Sequence, residues 1–386
     1  MQNPIKKCKF VDMTSLYLHI PFCRRVCGYC DFFRSVNTSR LDAVVSAMMV
    51  EIGDEADFLS DRALRTIYFG GGTPSLLSVE QVRDFLLRIA DVFDVSGVEE
   101  ITLEANPDDL SEEYLRGLRA LGVNRLSIGV QSFDDAELKF MNRRHTAQRA
   151  REAVLRARKA GFDNIAIDLI FGVDGFGDDV LGRSIDAAIE LGVEHIAAYH
   201  LTIEPKTIFG HRLSKGEMSL VAEDVSQREY LLLHDRLSAA GYDHYEISNY
   251  AKAGRRSIHN SSYWQGVEYL GVGAGAHSFN GTTRRWAVDS IEKYINGGEC
   301  RYESEQLSVM DRRNEVIMTS LRCAEGVDFD DYELLFDDMQ RVNLLKRAEN
   351  WIKDGKLIQE NSRLYIPPRF FMVSDMIIES LFDDKL

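Results

Sequence analysis

The feature that most constrains the fold is an alternation of short apolar runs with amphipathic stretches over the first half of the chain. The runs are rich in β-branched and aromatic residues, and the stretches between them have helical periodicity. This spacing is typical of right-handed βαβ units and a parallel sheet. The predicted strands are residues 15–20, 65–70, 100–105, 125–130, 164–172 and 195–203.

Three of the intervening stretches carry helix start and stop signals. Ser78 and Ser111 are N-cap residues with Glu or Gln close behind, and Gly122 and Gly161 follow the last turns. Because six units are too few to close an eight-stranded barrel, we expect an α/β fold built on an open, partial (β/α)6 barrel. The predicted helices are residues 78–93, 111–122 and 147–161.

Polar residues and glycines stand at the C-terminal ends of several predicted strands. In barrels and open α/β sheets, ligands bind at that edge. One shared site therefore explains these residues better than several unrelated features. They are residues 70–73, Glu104, Ala105, Asn106, Gln131, Ser132 and Asp168.

The second half of the chain differs in composition. Residues 259–279 are rich in aromatic residues and glycine, which favours irregular structure and turns. Two short apolar runs around a polar turn, followed by a helix within residues 355–382, are typical of a small winged-helix-like α+β domain. We predict an N-terminal extension (1–14), a barrel (15–205), a barrel extension (206–304) and a C-terminal domain (305–386).

Charge and hydropathy exclude some classes of function. The net charge of −15 argues against broad nucleic-acid binding, so we interpret the C-terminal domain as a packing module. The N-terminus lacks the apolar segment of a secretory signal, and no uncharged run reaches the length of a membrane span. We therefore expect a cytoplasmic protein with reduced thiols and no transmembrane segment.

Three cysteines lie within the stretch HIPFCRRVCGYCDFF, residues 19–33. In a reducing compartment, Cys23, Cys27 and Cys30 indicate metal binding or catalysis rather than disulfides. An iron–sulfur cube held by three thiolates would keep one iron open for a small molecule. A zinc site completed by His19 and a set of reduced cysteines without metal are the alternatives. The isolated cysteines, which we interpret as bystanders, are Cys8, Cys300 and Cys323.

The cysteine stretch, YLHIPFCRRVCGYCDF, resembles the CxxxCxxC signature of radical S-adenosylmethionine (SAM) proteins. Further motifs are similar to the HemN/HemW group, which contains oxygen-independent coproporphyrinogen III dehydrogenase and heme chaperones. The resemblance implies a [4Fe–4S] cluster on three cysteines, whose open iron is chelated by SAM. An electron from the cluster then splits SAM to a 5′-deoxyadenosyl radical. The motifs are GGGTPSLL (70–77), LEANPDDL (103–110), LSIGVQSFDDAELKFMNRRH (126–145), IDLIFG (167–172) and HNSSYW (259–264).

The resemblance also implies roles for individual residues. It assigns His259 as a candidate heme ligand, for which a turn histidine among core aromatics is the alternative. For Gln131, Arg143 and Asp168, which the resemblance implies bind a second SAM, the alternative is a structural ion-pair network. The residues implied to bind SAM are Tyr17, Gly71, Gly72, Thr73 and Glu104, and those implied to bind a second SAM are Gln131, Arg143 and Asp168.

One departure separates the two branches of this group. The dehydrogenase signature has a fourth cysteine two positions after the third, where this chain has Phe32, and the chain has no long leader. Both features favour a heme chaperone that binds heme, a [4Fe–4S] cluster and SAM, and passes heme to apo-hemoproteins such as respiratory enzymes. The alternatives are the dehydrogenase, acting on a porphyrinogen, and a radical SAM methyltransferase. Enzymatic activity, catalytic residues and a homodimer stay open.

Overall fold

Six parallel strands form the core of the protein, for which the computed structural model describes residues 14–297 and 301–383. The strands pair in chain order, β1 to β6, and confirm the predicted partial barrel. In β1, Leu16, Leu18 and Ile20 are buried beneath the helices, while Ser15 and Tyr17 face the barrel interior. The strands are β1 Thr14–Ile20, β2 Leu64–Gly71, β3 Glu100–Ala105, β4 Arg125–Gln131, β5 Ile165–Phe171 and β6 His195–His200.

Helices between these strands cover the outside of the barrel. The Ser78 hydroxyl accepts a hydrogen bond from the backbone of Gln81 in a full capping box, and Ser111 caps the next predicted helix. Gly122 and Gly161 both adopt a φ of 92° just after helix ends, as predicted. The helices are α1 Leu41–Asp54, α2 Val79–Val92, α3 Glu112–Ala120, α4 Asp135–Phe140, α5 Ala147–Lys159 and α6 Asp178–Leu191.

The sheet continues beyond the barrel on both sides and reaches 12 strands within the described residues. Two strands extend it past β6, and four extend it past β1, so the barrel stays open. The added strands are β7 Asp243–Glu246, β8 Asn249–Ala251, β9 Tyr269–Val272, β10 His277–Phe279, β11 Thr283–Ala287 and β12 Tyr302–Gln306. The accompanying helices are α7 Ile208–Ser214, α8 Glu223–Ala239, α9 Ile258–Trp264 and α10 Ile291–Asn296.

The expectation of irregular structure over residues 259–279 is wrong, because this segment contains α9, β9 and β10. Helix α9 begins after Ser257, and the Glu100 carboxylate accepts hydrogen bonds from the backbone N–H groups of Ile258 and His259, at 3.0 and 3.1 Å. Strand β9 pairs with β1. Both partners lie far away in sequence, so local composition gives no sign of them.

The last part of the chain forms a small α+β unit. Its three strands pair antiparallel in the order β13–β15–β14, and the hairpin β14–β15 forms the predicted wing. Across residues 14–297 and 301–383, no helix is long and apolar enough to cross a membrane. The elements are α11 Val309–Ser320, β13 Val327–Asp328, α12 Asp338–Lys353, β14 Ile358–Glu360, β15 Arg363–Tyr365 and α13 Ser374–Leu381.

Candidate functional site

A cavity of about 570 Å³ lies at the C-terminal ends of the barrel strands. Most residues predicted to form one site line it, although they are spread over about 150 positions of the chain. Tyr17 and His259 are predicted site residues that do not line it. The predicted residues in the lining are Cys23, Cys27, Cys30, Gly71, Gly72, Thr73, Glu104, Gln131, Arg143 and Asp168.

The three cysteines lie on the loop between β1 and α1. The backbone N–H of Cys23 donates to the carbonyl of Ser35 at 2.9 Å, and the N–H of Cys30 donates to the carbonyl of Cys27 at 3.3 Å. None of the three thiols is in a disulfide. The loop therefore presents three free thiols to one cavity. Cys323 does not line it, and Cys8 and Cys300 fall outside the described residues.

Hydrogen-bond donors from the segments that follow β2 and α4 point at two of the cysteine sulfurs. The Thr73 hydroxyl donates to Cys23 Sγ at 3.3 Å, and Arg143 Nη1 donates to Cys27 Sγ at 3.2 Å. Burial raises the pKa of the Cys23 thiol, while the Thr73 hydrogen bond and the Arg34 cation act to lower it. Donors and cations around sulfur stabilise thiolates, so this shell suits thiolate ligands of a metal cluster.

His19, the proposed fourth ligand of a zinc site, is committed elsewhere. Its Nδ1 is 3.0 Å from the Tyr17 hydroxyl, and its Nε2 is 3.2 Å from the carbonyl of Phe33. The ring is 5% exposed and absent from the cavity lining. Within the described part of the chain, no three Cys, His, Asp or Glu side chains are placed to hold a single metal ion. The positions of the side chains thus give the zinc alternative no fourth ligand.

Two glycines bring bare backbone to the cavity at the end of β2. Gly71 has a φ of 110°, and a Cβ there would lie 2.7 Å from the His19 ring. A Cβ on Gly72 would lie 2.7 Å from the carbonyl oxygen of Phe22, on the loop that follows β1. Glycine is favoured at position 71 by the positive φ, and at both positions because any side chain would be too close to its neighbours. The polar backbone of this turn is therefore available to a ligand.

Glu104, at the end of β3, sits beside this glycine turn. Its carboxylate accepts hydrogen bonds from the Tyr68 hydroxyl at 2.7 Å and from the N–H of Gly71 at 3.2 Å. Burial raises the pKa of Glu104 to about 7, against the lowering effect of both donors. A cationic ligand group beside Glu104 would favour the charged form of the carboxylate, which burial disfavours.

The second predicted group, Gln131, Arg143 and Asp168, also lines the cavity. Gln131 ends β4 with a φ of 70°, a strained conformation for a residue other than glycine. Arg143 donates to the Asn106 side chain at 2.7 Å and to the Gly129 carbonyl at 2.5 Å, while its buried Nε has no partner. Burial raises the pKa of Asp168 to about 6. Arg143 makes no direct ion pair with Asp168 among the described residues, so these side chains keep polar capacity for a ligand.

His259 lies inside the barrel, beneath the cavity. Its Nδ1 is 2.7 Å from the Thr66 hydroxyl, and its Nε2 is 2.8 Å from the Tyr263 hydroxyl. The ring is 1% exposed and stacks on Tyr68 at a centroid distance of 4.7 Å. Tyr17 stacks on the same Tyr68 ring at 5.9 Å. His259 and Tyr17 thus pack against Tyr68, whose hydroxyl donates to Glu104, and neither of them lines the cavity.

The cavity mouth holds residues that the sequence did not single out. Tyr199 and His200 end β6, are exposed and line the cavity. Predicting β6 through residue 203 placed them in the middle of a strand. On the other side, Arg25 and Arg34 line the mouth on the cysteine loop. With the end of β6 predicted correctly at His200, Tyr199 and His200 would have been recognised as polar residues at the C-terminal end of a strand.

Comparisons with known proteins agree with this architecture. Residues 17–188 match the Radical SAM superfamily, and residues 307–372 match the HemN C-terminal domain. The fold resembles the solved structure of coproporphyrinogen III oxidase (HemN) from Escherichia coli, with a TM-score of 0.81 and 22% identity, covering 96% of this chain and 90% of that one. A radical SAM fold implies a [4Fe–4S] cluster and SAM.

Two relatives illustrate the sequence similarity. The chain is 35% identical to the heme chaperone HemW of Lactococcus lactis, over 96% of this chain and 98% of that protein. It is 34% identical to the heme chaperone HemW of Escherichia coli, over 86% and 89%. The cysteine loop, the glycine turn and the open parallel barrel thus occur in a chain that belongs to the HemW family of radical SAM proteins.

Proposed function

We propose that the protein binds heme and transfers it to apo-hemoproteins such as respiratory enzymes, while it holds a [4Fe–4S] cluster and SAM. Its similarity to relatives named heme chaperones extends over nearly their whole length. The observation that carries the proposal is Phe32, which lies two positions after Cys30 and is 69% exposed at the cavity.

Phe32 stands where the dehydrogenase signature has a cysteine. A phenyl ring offers no ligand or redox-active group at this position. An exposed aromatic ring beside a partly apolar cavity instead suits contact with a large flat macrocycle. The mouth is therefore better built for holding a porphyrin than for adding a fourth thiol to the loop.

The cofactor residues would act together at the base of this cavity. Cys23, Cys27 and Cys30 would hold the cluster, and the Thr73 and Arg143 donors would stabilise the thiolates. The Gly71–Gly72 backbone and the Glu104 carboxylate would orient the amino group of SAM. When bound, the cluster and SAM supply one-electron chemistry. The residues of this chain bind, orient and bury those groups.

An anaerobic heme titration of cluster-reconstituted protein, followed at the Soret band, tests the proposal. We expect saturable, stoichiometric binding, transfer to an added apo-cytochrome and no consumption of coproporphyrinogen III. Phe32→Ala should weaken heme binding several-fold, because it removes an exposed apolar contact. Val36→Ala, a matched control 55% exposed on the same loop and outside the cavity lining, should not.

Three outcomes would contradict the proposal. Absence of saturable heme binding by the wild-type protein would exclude a chaperone. Conversion of coproporphyrinogen III to protoporphyrinogen IX under strict anaerobiosis would support the dehydrogenase instead. Transfer of the SAM methyl group to a product, traced with an isotope, would support a methyltransferase.

A further inference from the structure

The cavity mouth is bordered by two different edges. The cysteine-loop edge carries exposed Arg25 and Phe32 and half-buried Arg34. The β6 edge carries exposed Tyr199 and His200. All five side chains line the cavity, and none of them is among the residues assigned as ligands of the cluster or of SAM.

His200 has the environment of a metal ligand. Its Nε2 is 2.9 Å from the Ser226 hydroxyl, which can accept a hydrogen bond from it, and its ring meets Phe171 edge-on at a centroid distance of 5.1 Å. Its Nδ1 has no hydrogen-bond partner among the described residues. A ligating histidine is commonly fixed through one nitrogen by a polar neighbour, which leaves the other nitrogen for the metal. Among the histidines that the structure describes, His200 alone combines this fixation with exposure at the cavity.

The other histidines near the barrel interior lack that combination. His145 also lines the cavity, but it is 4% exposed and its Nε2 is 2.9 Å from the Val130 carbonyl. His19 and His259 are buried with both ring nitrogens hydrogen-bonded. Coordination by His259 would require its buried ring to become accessible and one of its two hydrogen bonds to break. The exposed position of His200 requires neither change.

The cysteine-loop edge provides cations for carboxylates. Arg25 is exposed and makes no ion pair in the described part of the chain. Arg34 donates from Nη1 to the Phe32 carbonyl at 2.6 Å, and its buried Nε has no partner. Arg24 is already paired with Asp109 at 3.5 Å, and Asp31 and Glu204 are acidic groups in the same lining. Arg25 and Arg34 are thus the cations with free capacity, and arginine is well shaped for carboxylates.

We propose that heme lies across this cavity mouth, with His200 Nδ1 as an axial ligand to the iron, its propionates on Arg25 and Arg34, and its macrocycle against Phe32. The inference rests on the proposed function, because it assigns a binding site to the heme cargo. The cluster and SAM would occupy the base of the cavity, and the cargo would lie at its opening. An opening is also the place from which an acceptor protein could receive heme.

The test is an anaerobic titration of cluster-reconstituted, full-length His200→Ala and His200→Gln with hemin, read by Soret position and EPR. We expect loss of the nitrogen-ligated heme spectrum, about tenfold weaker binding and recovery of the spectrum with added imidazole. His211→Ala, an exposed histidine on α7 outside the cavity, is the control. Arg25→Ala/Arg34→Ala should weaken metal-free protoporphyrin IX as well as hemin, whereas His200→Ala should weaken hemin alone.

The outcomes separate the two proposals. Saturable hemin binding with a wild-type spectrum in both His200 variants would refute this heme site while leaving the chaperone function intact. Absence of hemin binding by wild-type protein would refute the chaperone function itself. Unchanged circular dichroism and SAM binding in the His200 variants would show that any loss of hemin binding comes from the ligand.

Discussion

His259→Ala should destabilise the barrel without removing a reachable heme ligand. The substitution leaves a cavity in place of a ring that is 1% exposed and stacked on Tyr68. Thr66 keeps its hydrogen bond to Ser15, at 3.0 Å, but the Tyr263 hydroxyl loses the hydrogen bond to His259 and has no other partner among the described residues. Truncating a buried ring costs roughly 3 kcal/mol and leaving a buried hydroxyl unpaired roughly 1–3 kcal/mol. Allowing for relaxation, we expect a loss of about 3–5 kcal/mol.

Equilibrium unfolding in urea, followed by circular dichroism, measures this loss. His211→Ala is the control and should stay within about 0.5 kcal/mol of wild type, because it changes an exposed side chain. Hemin titrations at a temperature where His259→Ala is folded should give wild-type affinity. If His259→Ala retained wild-type stability but lost hemin binding, the argument from burial and hydrogen bonding would be wrong, and His259 would be the heme ligand.

Three further predictions concern the cofactor residues. Burial raises the pKa of Glu104 to about 7 from an unfolded value near 4.5, so the carboxyl group is easier to ionise in the unfolded chain. SAM-free wild-type protein should therefore lose up to about 3 kcal/mol of unfolding free energy as the pH rises from 4.5 to 7. Glu104→Gln should lack that part of the pH dependence, and parallel plots of unfolding free energy against pH for the two proteins would refute the assignment. Gly72→Ala should lower SAM affinity at least tenfold by equilibrium dialysis, because the added methyl meets backbone, whereas Gly177→Ala, with open space at its Cβ, should bind normally. Arg143→Met should lower the cluster reduction potential in an EPR-monitored titration, because it removes a cation and a hydrogen bond from Cys27; an unchanged potential would contradict this.

The sequence predicts the barrel well because its signals are local. Apolar runs, Ser78 and Ser111 as caps, and Gly122 and Gly161 after helices depend on residues only a few positions apart. The cavity edge follows from the same pattern, because C-terminal ends of parallel strands converge. This convergence explains why so many of the predicted site residues meet in one cavity.

The features that escape prediction depend on distant partners. The first turn of helix α9 donates hydrogen bonds to Glu100, which lies about 160 positions earlier in the chain. Helix α9 is thereby held in the barrel, where His259 is buried and does not line the cavity. The ring nitrogens of His259 are occupied by Thr66 and Tyr263, one distant and one local. The motifs therefore identified residues that come together in the fold, but local sequence did not reveal that His259 faces the barrel interior and not the cavity.

The pairing of β1 with β9 has a consequence for biosynthesis. β1 leaves the ribosome before the other described strands and leads directly into the cysteine loop, yet β9 ends only at Val272. At about 5–20 residues per second, translation from Thr14 to Val272 takes roughly 13–50 s. During that interval one edge of β1 has no neighbour, and the thiols are attached to an incomplete sheet. If these thiols hold the proposed cluster, iron and sulfide meet a finished binding site only after most of the chain has been made.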